Sequence, residues 1–436
     1  MDRLPGSVSA TEGAELIVRK VYILGSYMTQ FKKWPERTFK DLVREAYLGA
    51  LEDAGWADGA EIEFGWFSNM GMHAWKQASI RGQVCFIPLV REGLFPQRVP
   101  IINVEGACAS GSCALYGAWQ NILSGQHEVT LALGVEKLID PNADPEKKFA
   151  LFSGGTDALD FGEQLEVISR MAQQAGTPLE LGPGRSPAMD IYAIKAAYHM
   201  RRHGTTQRQI AMAASKAHGN GALNPKAQYR FPMSVDEVLA DRLICYPLTR
   251  AMCAPMSDGA AAAILCSEDY LKGLPSRAQS RAVRINAVAL KGGKNVAMDE
   301  PTVTRAVGQA AFRMAGVGPQ DIGVVEAHDA CSFSEIFQPE MLGFCGEGQG
   351  GRLVESGATR LEGKIPWNPS GGLVSKGHPI GATGLSMIYE IVTQLRGEAG
   401  ERQVQNRPEL GLIDNGGGVI FLDEAICGVT ILQKDR

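Results

Sequence analysis

A chain of 436 residues with 45% hydrophobic and 21% charged residues can bury a large core, and its length favours two or three domains. A net charge of −5 argues against the basic surface that nucleic-acid binding requires, so any anionic ligand needs a local patch. Nine cysteines without a CxxC pair or a Cys/His cluster at zinc spacing predict neither a disulfide framework nor a metal. With no signal-peptide core in residues 1–15 and no run of ~18 apolar residues to span a membrane, the chain reads as cytoplasmic.

Taken in chain order, Val21 to Leu24 reads as a strand and Phe39 to Ala54 as an amphipathic helix, the first unit of an α/β alternation. That helix ends on Ala50-Leu51-Glu52-Asp53-Ala54-Gly55-Trp56, where glycine accepts a left-handed cap, and a strand from Ile62 to Phe67 follows. Cys108-Ala109-Ser110-Gly111 opens a small-residue helix that closes near Gly125, before a strand at Val129 to Leu133. From Asp140 to about Gln228 the rhythm lapses. Pro141 to Asp190 is rich in Gly, Pro and charge, and the stretch is expected to be an inserted loop domain covering an active site.

The second part of the chain echoes the first. Ala311-Phe312-Arg313-Met314-Ala315-Gly316-Val317 leads into Ile322 to Glu326, and His378-Pro379-Ile380-Gly381 opens a helix that closes near Gly397 before Leu410 to Ile413. Both Cys108 and His378 are followed three residues later by a glycine. These echoes predict two duplicated α/β halves related by a pseudo-twofold axis, which brings two helix N-termini to one place. The expected division is residues 1–280 for the N-terminal half, carrying the insertion at about 140–228, and 281–436 for the C-terminal half.

The thiolate is the attacking form of cysteine, and a helix N-terminus favours it through unpaired N–H groups and the macrodipole. Cys108 is placed that way, among residues small enough for a thioester to approach. A lone free cysteine is otherwise most often a small core residue, the reading given to Cys113 and Cys427.

At these residues the chain resembles a known family. Gly106-Ala107-Cys108-Ala109-Ser110-Gly111 resembles the nucleophile motif of thiolases. Ser257-Asp258-Gly259-Ala260-Ala261-Ala262 is similar to their mid-chain signature, and Gly377-His378-Pro379-Ile380-Gly381-Ala382-Thr383-Gly384 to their histidine loop. Order and spacing agree from Val21 to the end. Glu326-Ala327-His328-Asp329, Ser215-Lys216-Ala217-His218 and Asn224-Pro225 resemble the sterol-carrier-protein-type subgroup. The resemblance implies a five-layered αβαβα thiolase fold with an inserted loop domain.

It also implies roles. Cys108 would be the nucleophile and His378 its base, and His328 would hold the thioester oxygen as it becomes negative. The backbone N–H groups of Cys108 and Gly416 would form a second oxyanion site. Lys216 and Arg230, near Arg201-Arg202, lie where the family binds the nucleotide end of coenzyme A, although each alone also reads as a solvated helix face. Ala254 matches a position along the pantetheine. Coenzyme A enters as substrate, with no bound cofactor.

The chain departs from the family at one position. Most thiolases carry a second cysteine before the glycine run, where Asp414 stands here, and His328-Asp329-Ala330-Cys331 puts a cysteine one residue later than the subgroup does. Cys331, with His328, is the leading candidate for the second proton carrier, because a thiol or imidazole titrates nearer neutrality than an aspartate. The implied reaction is cleavage of a 3-oxoacyl-CoA, or the reverse Claisen condensation, on a bulky or aromatic substrate such as benzoylsuccinyl-CoA. A homodimer or larger assembly is expected, with a small zinc-ribbon/OB-fold partner subunit. A ketosynthase, a retro-aldolase relative and a non-catalytic acyl-CoA-binding subunit are the alternatives. Pro379 weighs against the first, and the retained Cys108 and His378 against the other two.

Overall fold

The structure is a computed structural model that describes residues 19–140, 154–177 and 186–435. The N-terminal segment and parts of the expected insertion, residues 141–153 and 178–185, lie outside the described residues.

The N-terminal half runs β1 (Val21–Met28), α1 (Phe39–Ala54), β2 (Phe64–Ser68), α2 (Arg81–Arg91), β3 (Ile101–Val104), α3 (Ser110–Leu123) and β4 (Val129–Glu136). Thr38 caps α1 in a reciprocal box with Asp41, and Gly55 ends it at φ 78°. Three helices follow: α4 (Phe161–Ala175), α5 (Pro187–His203) and α6 (Gln207–Ala222). The expected insertion is therefore helical over its described part. Its start and stop signals are local: Pro187 in the first turn of α5, left-handed Gly204 after it, and a Thr206–Gln209 capping box opening α6.

A short hairpin, β5 (Leu243–Cys245) and β6 (Leu248–Thr249), precedes β7 (Gly259–Ser267). The C-terminal half comprises β8 (Val283–Gly292), α7 (Val303–Ala315), β9 (Val324–Ala327), α8 (Ser334–Leu342), α9 (Thr383–Arg396), β10 (Leu410–Gly417) and β11 (Ile426–Lys434).

Nine strands form one sheet in the order β3-β2-β4-β7-β1-β8-β11-β10-β9. The duplication is visible in its pairing. In the first half β1 is antiparallel to β7, β7 antiparallel to β4, and β4 parallel to β2. In the second, β8, β11, β10 and β9 repeat that series, and a parallel bridge from Val325 to Trp367 stands where β3 stands in the first. A short antiparallel contact of β1 with β8, from Val21 opposite Ile285 to Ile23 opposite Val283, joins the halves.

Strand alternation sorts side chains into layers. In β7, Ala260, Ala262, Ile264 and Cys266 pack with α1 and α2, whereas Ala261, Ala263 and Leu265 pack with α3 and α9. In β10, Leu412 faces α7 and Ile413 faces the central helices. Both half-sheets thus bury their inner faces on α3 and α9 and their outer faces on other helices, giving five layers.

Glycines let these layers approach. A Cβ on Gly134 of β4 would lie 2.1 Å from the Gly381 carbonyl oxygen and 2.5 Å from Ser68 Oγ. Backbone cannot yield as a side chain can, so Gly134→Ala is expected to destabilise the fold by about 1–3 kcal/mol. Urea unfolding should show a lower midpoint at unchanged slope.

Candidate active site

The turn after β3 sets Cys108. Ala107 is held at φ 46°, a conformation that costs an L-residue roughly 1–3 kcal/mol. Its neighbours impose it. The Ala107 N–H donates to Glu105 Oε1 at 2.5 Å, Ser110 Oγ donates to the Ala107 carbonyl at 2.6 Å, and the Gly106 N–H donates to Ser110 Oγ at 2.9 Å. Asn415, at the end of β10, locks the turn from the other half. Its Nδ2 donates to the Cys108 carbonyl at 3.1 Å while its Oδ1 accepts from Ser112 Oγ at 2.9 Å. Gly417 packs on the same turn, where a Cβ would lie 2.2 Å from the Gly106 carbonyl oxygen.

His378 arrives on the loop before α9. Its backbone N–H donates to Ser257 Oγ at 3.0 Å. Below it the buried Glu136 carboxylate gathers the N–H groups of Gly381 (3.1 Å), Met70 (2.9 Å) and Gly71 (3.0 Å) with Asn69 Nδ2 (2.8 Å). The His378 ring stands between two partners: Nε2 is 3.2 Å from Cys108 Sγ, and Nδ1 is 2.7 Å from Thr383 Oγ1. Thr383 has one hydroxyl proton and gives it to the Pro379 carbonyl at 3.0 Å. It must therefore accept from Nδ1–H, which leaves the Nε2 lone pair facing the thiol. That tautomer is the one a general base needs.

Burial holds both groups neutral. It pushes the Cys108 thiol up to about 12, against the N–H groups of Gly418 and of Cys108 itself, which favour the thiolate. It pulls His378 well below the usual imidazole value, helped by His328 and Lys376. Desolvation outweighs the local donors that favour a thiolate at a helix terminus, and the proton leaves only as bond formation begins.

His328 follows β9, and its backbone N–H donates to the Asp414 carbonyl at 2.8 Å. Its ring meets that of His378 edge-on, with centroids 5.3 Å apart. Burial lowers it to about 4, and among the described residues neither ring nitrogen has a partner although the residue is only 2% exposed. A neutral imidazole carries one N–H, so His328 offers an unused donor to the site. The reactive atoms of Cys108, His328 and His378 lie within 4.8 Å of one another. Gly416 sits in β10 under the Glu424 carboxyl, whose Cδ would be 2.7 Å from a Cβ there. The Gly418 N–H hydrogen-bonds the Cys108 sulfur.

Other expected residues are placed differently. Cys331 is fully buried among Ala213, Phe333 and Ile336, accepts the N–H groups of Phe333 and Ser334, and is pushed to about 12 by burial. Its apolar surround favours the thiol over the thiolate, as burial does at Cys108. Lys216 turns inward, 2.6 Å from Glu335 and 2.5 Å from the Trp367 carbonyl. A second buried ion pair, Lys376–Glu326, joins it in a buried charge network. Arg230 is exposed, and Ala254 is half-buried with its N–H on the Ala330 carbonyl at 2.9 Å. Sequence reasoning passed over Glu136, Asn415 and Tyr192. The Tyr192 phenol, on α5, is raised well above its usual value by burial and then by Glu424, Cys108, Cys331 and Asp414.

The family signature described as "Thiolase, N-terminal domain" matches residues 21–235, and "Thiolase C-terminal domain-like" matches 287–428. An acetyl-CoA acetyltransferase of Methanothermobacter thermautotrophicus is 38% identical over 405 residues, covering 92% of this chain and 97% of that one. Human sterol carrier protein 2 is 36% identical over 404 residues, 89% of this chain and 68% of that one. Among solved structures, an "Ltp2-ChsH2(DUF35) aldolase" superposes with a TM-score of 0.75 at 21% identity, covering 96% of this chain and 99% of that one. Human mitochondrial 3-ketoacyl-CoA thiolase superposes with a TM-score of 0.65 at 16% identity over 96% of this chain and 100% of that one. No described helix is long and apolar enough to cross a membrane.

The neutral Cys–His pair sets an expected pH profile. Alkylation of Cys108 by iodoacetamide should quicken steadily from pH 7 to 10 as the thiolate fraction grows, because the thiol titrates at about 12. A rate plateau at pH 6–7 would instead mark a resident thiolate–imidazolium pair. Thr383→Val removes the acceptor that orients His378 and should lower turnover roughly 10-fold, about 1.4 kcal/mol.

Proposed function

The chain belongs to the thiolase family and is an acyltransferase, and from that premise we propose that it cleaves a 3-oxoacyl-CoA by thiolysis, or runs the reverse Claisen condensation, through an acyl-enzyme on Cys108. The observation that carries this reading is the 3.2 Å contact of Cys108 Sγ with the unprotonated Nε2 of His378.

In the cleavage direction Sγ attacks the 3-oxo carbon as its proton passes to Nε2. The oxygen becomes negative within reach of backbone N–H groups at the nucleophile turn and the glycine run. The bond between α and β carbons breaks, leaving an enolate at the thioester, whose oxygen lies in the reach we assign to His328. Coenzyme A then collects the acyl group. Donors already in place stabilise each charge without reorganisation.

We extend the proposal to a bulky or aromatic acyl group, benzoylsuccinyl-CoA being one example, and to a dimeric or larger assembly with a small partner subunit. What supports these narrower statements is kinship: the chain resembles sterol carrier protein 2, and the Ltp2 aldolase in the similar structure is paired with ChsH2(DUF35). An aldolase reading is less favoured, since aldol cleavage needs no acyl acceptor and Cys108 and His378 are in contact here. The expected site roles, including coenzyme A contacts by Arg230 and Ala254, form part of the same proposal.

Purified protein should cleave at least one member of a 3-oxoacyl-CoA panel in a coenzyme A-dependent way, with an acyl adduct on Cys108 by intact mass. Cys108→Ala should lower that rate at least ~1,000-fold. Equal rates for the two proteins would refute the mechanism. Light scattering is expected to give a dimer or larger species.

A further inference from the structure

Thiolysis creates an enolate whose α-carbon must gain a proton, and with Cys331 packed in an apolar cluster the site needs another donor. Asp414 ends the regular part of β10. Its carbonyl accepts the His328 N–H at 2.8 Å, and the next residue, Asn415, holds the Cys108 carbonyl at 3.1 Å. The side chain is fully buried. Oδ1 accepts the Cys427 thiol at 3.3 Å, whereas Oδ2, equally buried, has no partner among the described residues.

A buried carboxylate without a cation beside it is unfavourable, whereas a carboxylic acid needs only to place its proton. With Oδ1 already accepting, that proton belongs on Oδ2, the oxygen left unused. The groups around it support this. Glu424 is a second buried acid, Cys427 is a neutral thiol and Tyr192 a neutral phenol, so burial first and Glu424 second raise Asp414 to about 8. The usual preference for a thiol or imidazole over an aspartate therefore lapses here. Glu424 is the weaker candidate: its carboxyl is engaged by Thr304 Oγ1 at 3.0 Å and by Gln338.

We propose that Asp414, as the carboxylic acid, is the catalytic proton carrier at the α-carbon of the substrate, a role that rests on the thiolytic reading above. In cleavage the Cys108 proton moves to His378 Nε2 and sulfur bonds the 3-oxo carbon. The Cα–Cβ electron pair then takes the Asp414 Oδ2 proton, releasing the shortened acyl-CoA. In the second half coenzyme A gives its thiol proton to the Asp414 carboxylate and bonds the acyl carbon. The departing Cys108 sulfur recovers its proton from His378. Every group ends as it began.

The test uses whichever panel substrate the wild type cleaves fastest. A wild type that cleaves none counts against the functional reading rather than against Asp414. Asp414→Asn keeps the shape and removes the acid. Its Cys108 should still be alkylated by iodoacetamide at near the wild-type rate, a step that takes no proton from Asp414, while cleavage and α-hydrogen exchange in D2O should fall by roughly 100-fold or more. Asp414→Cys, which restores a titratable proton, should regain at least ~10-fold over Asp414→Asn, and Cys331→Ala should exchange at near the wild-type rate. Exchange by Asp414→Asn within about threefold of wild type would overturn the proposal. So would loss of Cys108 alkylation together with exchange, since that marks a structural role.

Discussion

Two helix N-termini meet backbone to backbone at the centre of this molecule, and the site depends on that contact. A Cβ on Gly111 of α3 would lie 2.9 Å from the Leu385 N and 3.0 Å from the Gly384 N; one on Gly384 of α9 would lie 2.7 Å from the Ser112 N and 2.5 Å from Asn415 Oδ1. Larger residues would force the helices apart, and the Cys108 and His378 carried at their N-terminal ends would separate with them. Because backbone is stiff, a 3.2 Å contact between residues 270 positions apart is set by packing rather than by loop flexibility.

Around that contact the site stores its groups uncharged. Desolvation raises the thiol of Cys108 and the carboxyl of Asp414 and lowers the imidazoles of His328 and His378. Buried charge pairs lie at the floor, where Lys376 and Lys216 face Glu326 and Glu335. Such buried pairs contribute little net stability, but losing one partner is costly, so they favour one arrangement of the segment that bears His328. A neutral, preorganised site spends no energy separating charge until substrate supplies the carbon that receives it.

Much of this was legible in the chain. The glycines at Gly55, Gly125, Gly316 and Gly397 each take the left-handed conformation at the end of a helix or just past it, as local chemistry requires. The two echoes marked the repeated units, and the spacing of small residues around Cys108 and His378 marked the helices that carry them. The insertion was less legible. Its overall Gly, Pro and charge content masked local signals at Ser186-Pro187 and Thr206 that open two of its helices.

Sequence by itself determined the α/β repeat and the small-residue turns that carry Cys108 and His378, because these follow from short-range periodicity, from glycine geometry and from residue types that must recur at fixed spacing. Tertiary structure alone decided what each polar group would become. Lys216 turned inward to Glu335, Cys331 fell into an apolar cluster, and Glu136 and Asn415 reached across from separate strands to hold the His378 loop and the Cys108 turn. Asp414 became a neutral acid for the same reason. Protonation and partnership depend on burial and on groups distant in sequence, and neither quantity exists until the chain has folded.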